Sequence, residues 1–450
     1  MEGKMTGIQN SVDRTVNYIS RSITLKIMTI GILILLLLIP ALMIQNLIRE
    51  RQHRRDSVVN EINRKWGGSQ TVTGPFITVP FKEFYRDGNG ETQFNLKYLH
   101  ILPETLSVAG EIAPEVRHRS LFETVVYNTK LKFDGTFKIP QSGRLNIDPD
   151  NIMWEQSYLS VGITDMRGIE DKIDILFDGA GYNTNPGLKT TDIAPAGVNV
   201  KVDLSGAARD RKYSFELNLK GSDRIAFIPV GESNTVNMKS TWNSPGFDGA
   251  FLPDKSAVEK DGFSADWKVL HLNRNYPQYW EGNRYEVLSS SFGVSLILTA
   301  DIYQKSMRLA KYAVMFLLFT FVSFFFSEIV NKQRIHPIQY ILTGIAILIF
   351  YTLVLSLSEH MHFNIAYILS AVAVTLIISG YAKAIVESKR FACTIMGILS
   401  VLYGYLFIVL QLENYALIMG SIGLLVITAT VMFMTRKINW YKIEAVQEES

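Results

Sequence analysis

The stretch Ile27–Ile44, IMTIGILILLLLIPALMI, decides how the rest of the chain is read. It carries no charge, with Lys26 in front and Arg49, Glu50 and Arg51 shortly behind. A helix of this length rises about 27 Å, enough for a nearly upright crossing of a ~30 Å hydrocarbon layer. Pro40 lies inside the run, where a membrane helix tolerates it because neighbouring groups re-satisfy the freed carbonyl. A cleaved secretory signal is the competing reading. Its apolar region is shorter and ends at a small-x-small site, whereas Gln45-Asn46-Leu47-Ile48-Arg49 follows here. We read an uncleaved anchor.

Five further apolar runs crowd the C-terminal third: Leu309–Ser327, Gln339–Leu357, Ile365–Ile385, Phe391–Leu410 and Tyr415–Met434. Each can span the bilayer, and so many in series do not suit the core of a soluble domain. Charge follows the same division. Residues 309–434 hold six Lys/Arg and four Asp/Glu, whereas residues 45–308 hold 32 and 33. The whole-chain net charge of +3 therefore averages two different solvents. This pattern excludes a purely soluble enzyme, a disordered chain and, with one cysteine, a disulfide scaffold. No large segment is basic enough for a nucleic-acid partner.

Loop charges orient the spans. Lys332 and Arg334 follow the second run, Lys389 and Arg390 the fourth, and Arg436, Lys437 and Lys442 the sixth. The intervening loops, Ser358–Asn364 and Gln411–Asn414, carry no Lys or Arg. The basic set is expected in the cytoplasm, which puts both termini there. Arg49, Arg51, Arg54, Arg55, Arg64 and Lys65 disagree, since this reading leaves them outside. The expected division is a cytoplasmic tail (1–26), a first transmembrane helix (27–44), an extracytoplasmic domain (45–308), a bundle of five transmembrane helices (309–434) and a cytoplasmic tail (435–450).

Within 45–308, Leu47 to Trp66 is charged and suits a helical stalk. Beyond it the pattern changes to period two. Val125, Tyr127, Thr129, Leu131 and Phe133 alternate with other residues, as do Tyr213, Phe215, Leu217 and Leu219. The same holds for Leu159, Val161 and Ile163, for Phe263, Ala265, Trp267 and Val269, and for Val294, Leu296 and Leu298. Such alternation marks strands with one buried face. Asp87-Gly88-Asn89-Gly90 separates two aromatic-bearing runs, and Asp134-Gly135, Asp178-Gly179 and Asp261-Gly262 read as further turns. No clean internal repeat is visible. The expected fold is a membrane protein with six transmembrane α-helices, one N-terminal and five C-terminal, and a large, mainly antiparallel β domain built as a sandwich or stacked sheets.

Signatures of chemistry are scarce. There is no GxxxxGK[ST], HExxH or CxxC. Gly179-Ala180-Gly181 lacks the third glycine of a dinucleotide loop and reads as a turn, and Ser264 lacks the setting of a nucleophile elbow. Asp165 and Arg167 are the best polar pair for an enzyme, but Asp-x-Arg-Gly more often makes a salt-bridged turn. The closest histidine cluster is Glu359-His360-Met361-His362 in an outer loop. Glu359, His360 and His362 could hold a metal or pass protons at the membrane surface; the plainer reading is a polar loop at headgroup level. Lys311, Glu328, Lys383, Glu387 and Glu413 stand near span ends, and Phe321, Phe324, Phe325 and Phe326 read as packing. Neither a midplane carboxylate nor a broken helix is visible, which weakens a transport reading. We expect no enzyme activity, no cofactor and no metal.

Several segments together resemble the CreD family of bacterial inner-membrane proteins. They are Gly74-Pro75 with Val79-Pro80; Leu102-Pro103-Glu104 leading to Arg117-His118-Arg119 and Val125-Val126-Tyr127; and Trp154 with Asp165-Met166-Arg167-Gly168. Next come Trp242-Asn243-Ser244-Pro245-Gly246-Phe247-Asp248-Gly249, Phe251-Leu252-Pro253, and Gly262-Phe263 with Trp267. In the C-terminal third are Tyr303-Gln304, Lys311-Tyr312, Phe324-Phe325-Phe326-Ser327-Glu328, His336-Pro337-Ile338-Gln339-Tyr340, Phe350-Tyr351 and Ser358-Glu359-His360. The resemblance implies a multi-pass protein of the bacterial cell inner membrane with its β domain in the periplasm. It also implies a role in cell-envelope integrity or the envelope-stress response, with a link to colicin tolerance. It implies no catalytic residue. The expected partners are the lipid bilayer and an envelope protein, lipid or cell-wall component. The alternative is a transporter or lipid-handling protein.

Overall fold

The apolar run does not end its helix at Ile44. In the computed structural model, helix α1 runs from Ile23 to Trp66. Residues 23–206, 210–298, 302–331, 335–412 and 416–436 are described. Lys332 and Arg334, the loop residues Glu413 and Asn414, and most of both tails lie outside them. The chain forms two compact units, Met1–Arg54 with Ala300–Ser450, and Arg55–Thr299.

The first unit is helical: α2 (Ile302–Lys311), α3 (Ala313–Asn331), α4 (Pro337–Ser358), α5 (Phe363–Val386), α6 (Lys389–Gln411) and α7 (Ala416–Thr435). Among the described residues, α1, α4, α5 and α6 are long and apolar enough to cross a membrane. The number rises to five if α2 and α3, bent by 41° at Tyr312, form one span. That bend corrects the expectation of an unbroken second span. The apolar run beginning at Leu309 is preceded by about two amphipathic turns, and the two axes diverge at Tyr312. Along the apolar part of α1 the buried side chains are Ile30, Leu33, Leu37, Ala41, Ile44 and Ile48, while Leu35, Ile39, Leu42 and Met43 are exposed. The 3–4 spacing marks one packed face. Gly344 on α4 leaves room for it: a Cβ there would collide with the Leu37 side chain and press on Phe321.

The second unit is two stacked sheets. One runs in the order β13 (Pro245–Gly249), β17 (Phe292–Leu296), β11 (Arg224–Ile228), β1 (Gln70–Arg86), β5 (Ser157–Ile163), β9 (Gly197–Val202), β8 (Asn185–Pro186). Strand β2 (Thr92–Ile101) also pairs with β1, and β16 (Tyr279–Glu281) with β2. The other runs β14 (Lys255–Glu259), β15 (Gly262–Leu270), β12 (Ser233–Ser240), β3 (Thr105–Arg119), β4 (Phe122–Lys138), β10 (Asp210–Ser222), β6 (Asp174–Phe177), β7 (Ala180–Asn183). Pairing is antiparallel except for β1 with β11 and β3 with β12.

The alternating residues form the core. Val125, Tyr127, Leu131 and Phe133 of β4 are buried, as are Tyr213, Phe215, Leu217 and Leu219 of β10. Phe133 and Phe215, opposite each other in register, stack at 4.6 Å. Two readings need correction. Leu298 is exposed, because β17 stops at Leu296. Asp134-Gly135 is no turn: β4 continues through it, pairing Asp134 with Ser214 and Gly135 with Tyr213. Glycine is required there because any Cβ would collide with the Thr105 carbonyl and the Tyr213 hydroxyl. Asp178-Gly179 does make a two-residue hairpin turn with positive φ at both positions, as primed turns demand.

The parallel pairs reveal a local correspondence between two strand crossovers. Strands β2 and β11 approach each other along one edge of β1, ending opposite Ile77 and Thr73. Each then crosses to the second sheet, where the continuations β3 and β12 pair from Thr105↔Ser233 to Ile112↔Ser240. In this register Glu104-Thr105-x-Ser107-Val108 lies beside Glu232-Ser233-x-Thr235-Val236. The match is too short to stand out as a repeat in sequence.

Candidate functional site

The Glu359-His360-Met361-His362 cluster comes apart in the fold. Glu359 caps the C-terminus of α4, with a side chain only 9 % exposed. Its Oε1 accepts from the Tyr303 hydroxyl at 3.1 Å, and its Oε2 lies 3.7 Å from Arg51 Nη1. His360 and His362 are exposed. No group of three His, Cys, Asp or Glu able to hold a metal occurs among the described residues. The sequence placed the three side chains together; the helix end turns the carboxylate inward and leaves both imidazoles outside. Glu359 is therefore a bridge between α1, α2 and α4.

A matching bridge stands at the other end of α1. Lys26 pairs with Glu328, whose carboxylate also accepts from the Ile335 amide at 3.3 Å and the Tyr340 hydroxyl at 3.4 Å. Tyr340 in turn packs edge-on against Phe321. Lys26 and Arg51 stand ~37 Å apart along the helix. That separation slightly exceeds the hydrocarbon thickness, so each clamp falls at a headgroup level.

In the β unit the exposed feature is the hairpin of β1 and β2. The strands pair from Ile77↔Ile101 to Arg86↔Thr92, closed by Asp87-Gly88-Asn89-Gly90. The Asp87 carboxylate accepts from the Asn89 and Glu91 amides, both at 2.9 Å. Up to Phe81 the hairpin is buried; beyond it both strands stand clear for ~17 Å. One projecting face carries Phe84, Phe94 and Leu96, each 50 % exposed, with Tyr85 on the opposite face. Phe84 and Phe94 form a T-shaped pair at 5.9 Å, and Lys82 sits over the Phe94 ring at 5.0 Å. A two-stranded arm with exposed aromatics is poorly placed to stabilise the fold and well placed to touch something else. Its sequence signal was the pair of aromatic runs flanking the turn.

Two constellations, one buried and one at the surface, have a catalytic outline without a catalytic setting. His100, 1 % exposed, meets Thr78 Oγ1 through Nδ1 at 3.2 Å and Asp192 Oδ2 through Nε2 at 2.8 Å. Burial pushes the imidazole pKa down, and the Asp192 carboxylate opposes this. Thr78 is itself buried on β1, away from any substrate. Asp165 accepts from Arg167 Nε and Nη2 at 2.9 and 2.7 Å, from the Arg167 amide and from the Gly68 amide. The Arg167 guanidinium and these amides hold its carboxyl at about 2. Asp165 thus caps the short 3-10 turn Met166–Gly168, the salt-bridged turn that its spacing suggests. A cavity of about 230 Å³ bordered by Thr71, Thr73, Thr164 and Ser291 contains no ionisable group.

Residues 22–441 match the family described as "Inner membrane protein CreD". The chain belongs to the CreD family. It is similar to the inner membrane protein CreD of Escherichia coli (strain K12), with 30 % identity over 416 residues and 91 % of each chain covered. Inner-membrane residence follows from the family together with the apolar helices. The family-like segments fall at structural knots. Leu102-Pro103-Glu104 is the crossover from β2 to β3, where Gln278 Nε2 donates to the Pro103 carbonyl at 2.7 Å. In the Trp242–Gly249 segment, Trp242 Nε1 donates to the Ser244 carbonyl, and Asp248 accepts from Arg224 Nε at 2.7 Å. His336-Pro337 opens α4, with the His336 ring accepting the Ile338 amide. In this chain, then, these residues carry architecture.

Proposed function

We propose that this chain supports cell-envelope integrity from the inner membrane through contacts made by its β unit in the periplasm, without catalysis. The projecting hairpin with exposed Phe84, Phe94 and Leu96 carries the reading. The partner is an envelope protein, lipid or cell-wall component. A photo-crosslinking residue at position 84 or 94 of the full-length protein should trap it in living cells. Adducts from other surfaces of the unit and none from the hairpin would reject the assignment. Loss of the protein should alter the response to envelope stress and to colicins. Robust turnover of a cell-wall or lipid substrate by the purified protein would count against a non-enzymatic role.

The topology proposed with it has six spans and both termini in the cytoplasm. Its support is the sorting of bundle ends. Lys26, Glu328 and Tyr340 share one end, Arg51, Tyr303 and Glu359 the other. Lys389 and Arg390 start α6, as expected of a cytoplasmic loop. An alkaline-phosphatase fusion after residue 150 should be active, and an inactive one would invert the scheme.

A transporter or lipid-handling role is the second reading. It is favoured by the bend at Tyr312 and by buried hydroxyls of Ser306, Thr320, Tyr351, Ser379 and Tyr403 that lack a hydrogen-bond partner. Such hydroxyls in lipid call for water or a polar solute. Substituting Glu359, His360 and His362 together should change ion or lipid flux in vesicles. Absence of flux in the wild type would end this reading.

A further inference from the structure

The arm of β1 and β2 has two outer edges, and the one along β2 is half used. The short strand β16 pairs with its inner end, from Tyr279↔Ile101 to Glu281↔Leu99. Gly282 donates one more bond, to the Tyr98 carbonyl at 2.9 Å. There the chain turns away, with Gly282 at a φ of 62° and Tyr285 folded back against the Trp280 ring at 5.6 Å. Residues 92–97 are all exposed, and among the described residues β1 is the only strand paired with this stretch.

The phase of the ladder says which backbone groups face outward. The Asp87 amide donates to the Glu91 carbonyl, so the odd-numbered residues of β2 bond to β1. The even-numbered ones point away from it, in agreement with the bond from Gly282 to Tyr98. Thr92, Phe94 and Leu96 therefore present their amides and carbonyls along the open edge. A two-stranded arm is marginal by itself, and such an edge is a template for a further strand.

The sequence of this edge fits itself. Two copies laid antiparallel, with Phe94 opposite Phe94 of the second copy, set Thr92 against Leu96 and Gln93 against Asn95. Each even-numbered pair can exchange two backbone bonds, and the amide side chains meet on the other face. Glu91 falls opposite Lys97 at both ends of the match, placing opposite charges in register. Lys97 meets Glu83 at 2.7 Å within its own arm, and Glu91 has no ion-pair partner among the described residues. A register centred on Asn95 would bring Thr92 to Tyr98, whose carbonyl already accepts from Gly282. The β1 edge does not match itself: centred on Phe84, Lys82 would lie opposite Arg86 and put like charges together.

We propose that two copies of this chain pair edge to edge through residues 92–96 of β2, antiparallel and centred on Phe94. The two arms then form one four-stranded ribbon. Phe84, Phe94 and Leu96 of both copies lie on the same face of it, which doubles the exposed apolar patch. The pairing uses the edge of the arm, leaves that face open for the contact proposed above and does not rest on it.

The test places single cysteines in the full-length protein carrying C393S. In this register positions 93 and 95 of opposite copies form a non-hydrogen-bonded pair with Cα atoms about 4.5 Å apart, within reach of a disulfide. Position 93 stands diagonal to its own counterpart, about 7–8 Å away and too far to bridge. Q93C and N95C chains with different tags, co-expressed and oxidised in their membranes, should form a mixed disulfide dimer. Its yield should be about fivefold or more that of either variant alone. Thr92→Pro removes an outward amide and no bond to β1, and it should bring the mixed yield down to the single-variant level. A mixed yield no higher than that of the single variants would overturn the proposal. So would a mixed yield that the proline leaves undiminished in a folded protein. Should the proline variant fail to fold, the contrast between mixed and single chains decides.

Discussion

The two units bury their side chains by different rules. In the β unit, alternation in sequence became alternation in burial: Val125, Tyr127, Leu131 and Phe133 all face inward along β4. In the helical unit nearly every residue of α1 between Ile27 and Ile44 is apolar, yet only about one in three or four packs. Water makes an apolar residue choose a side, and lipid does not. There the choice passes to shape and to polar anchors, such as the space above Gly344 and the carboxylates of Glu328 and Glu359.

The comparison breaks most directly at Phe133. Phe133→Ala should destabilise the β unit by about 3–5 kcal/mol, read by proteolysis of the full-length protein across a denaturant series. A loss below about 1 kcal/mol would mean that the stacked pair with Phe215 is not part of a close-packed core. In the helical unit the corresponding lever is shape. Gly344→Ala should cost about 1–3 kcal/mol, and Leu37→Ala should recover part of it. Gly380→Ala, with nothing within 4 Å of the new Cβ, should be nearly neutral in the same denaturant series.

A third prediction separates the units by pH. The buried His100 has a pKa below its unfolded value of about 6.5. The unfolded chain therefore binds the proton first. The stabilising contribution is complete above about pH 6.5 and is lost as pH falls toward the folded pKa, with a slope of at most ~1.4 kcal/mol per pH unit. His100→Gln should flatten β-unit stability between pH 7 and 5. Asp165, held at about 2, acts in a lower window: its contribution is present above about pH 4 and fades below. In the hairpin, Phe84→Ser with Phe94→Ser should shift stability by only about 0.5 kcal/mol while removing the hairpin crosslink. A large loss of stability would turn the arm into a structural element.

What could be read in advance follows the same division. Helix positions were legible because about 20 apolar residues cannot be anything else, and strand faces because period two is strict. Helix partners were not, since Leu33 and Leu35 look alike in sequence although only Leu33 packs. Glu359, His360 and His362 were adjacent in sequence, but the capped end of α4 sent them in different directions. The hairpin was half visible in its turn and aromatics. Its projection depended on Phe81 being the last buried residue, a fact about the neighbouring strands.

The pairing of β1 with β11 sets a timetable. Gln70 lies beside Ile225, so the middle of the first sheet stays incomplete until that distant residue has been made and delivered. At ordinary synthesis speeds of about 5–20 residues per second this takes roughly 8–30 s. During that interval a long apolar strand edge is open, and the newborn chain must keep that edge from finding a stranger.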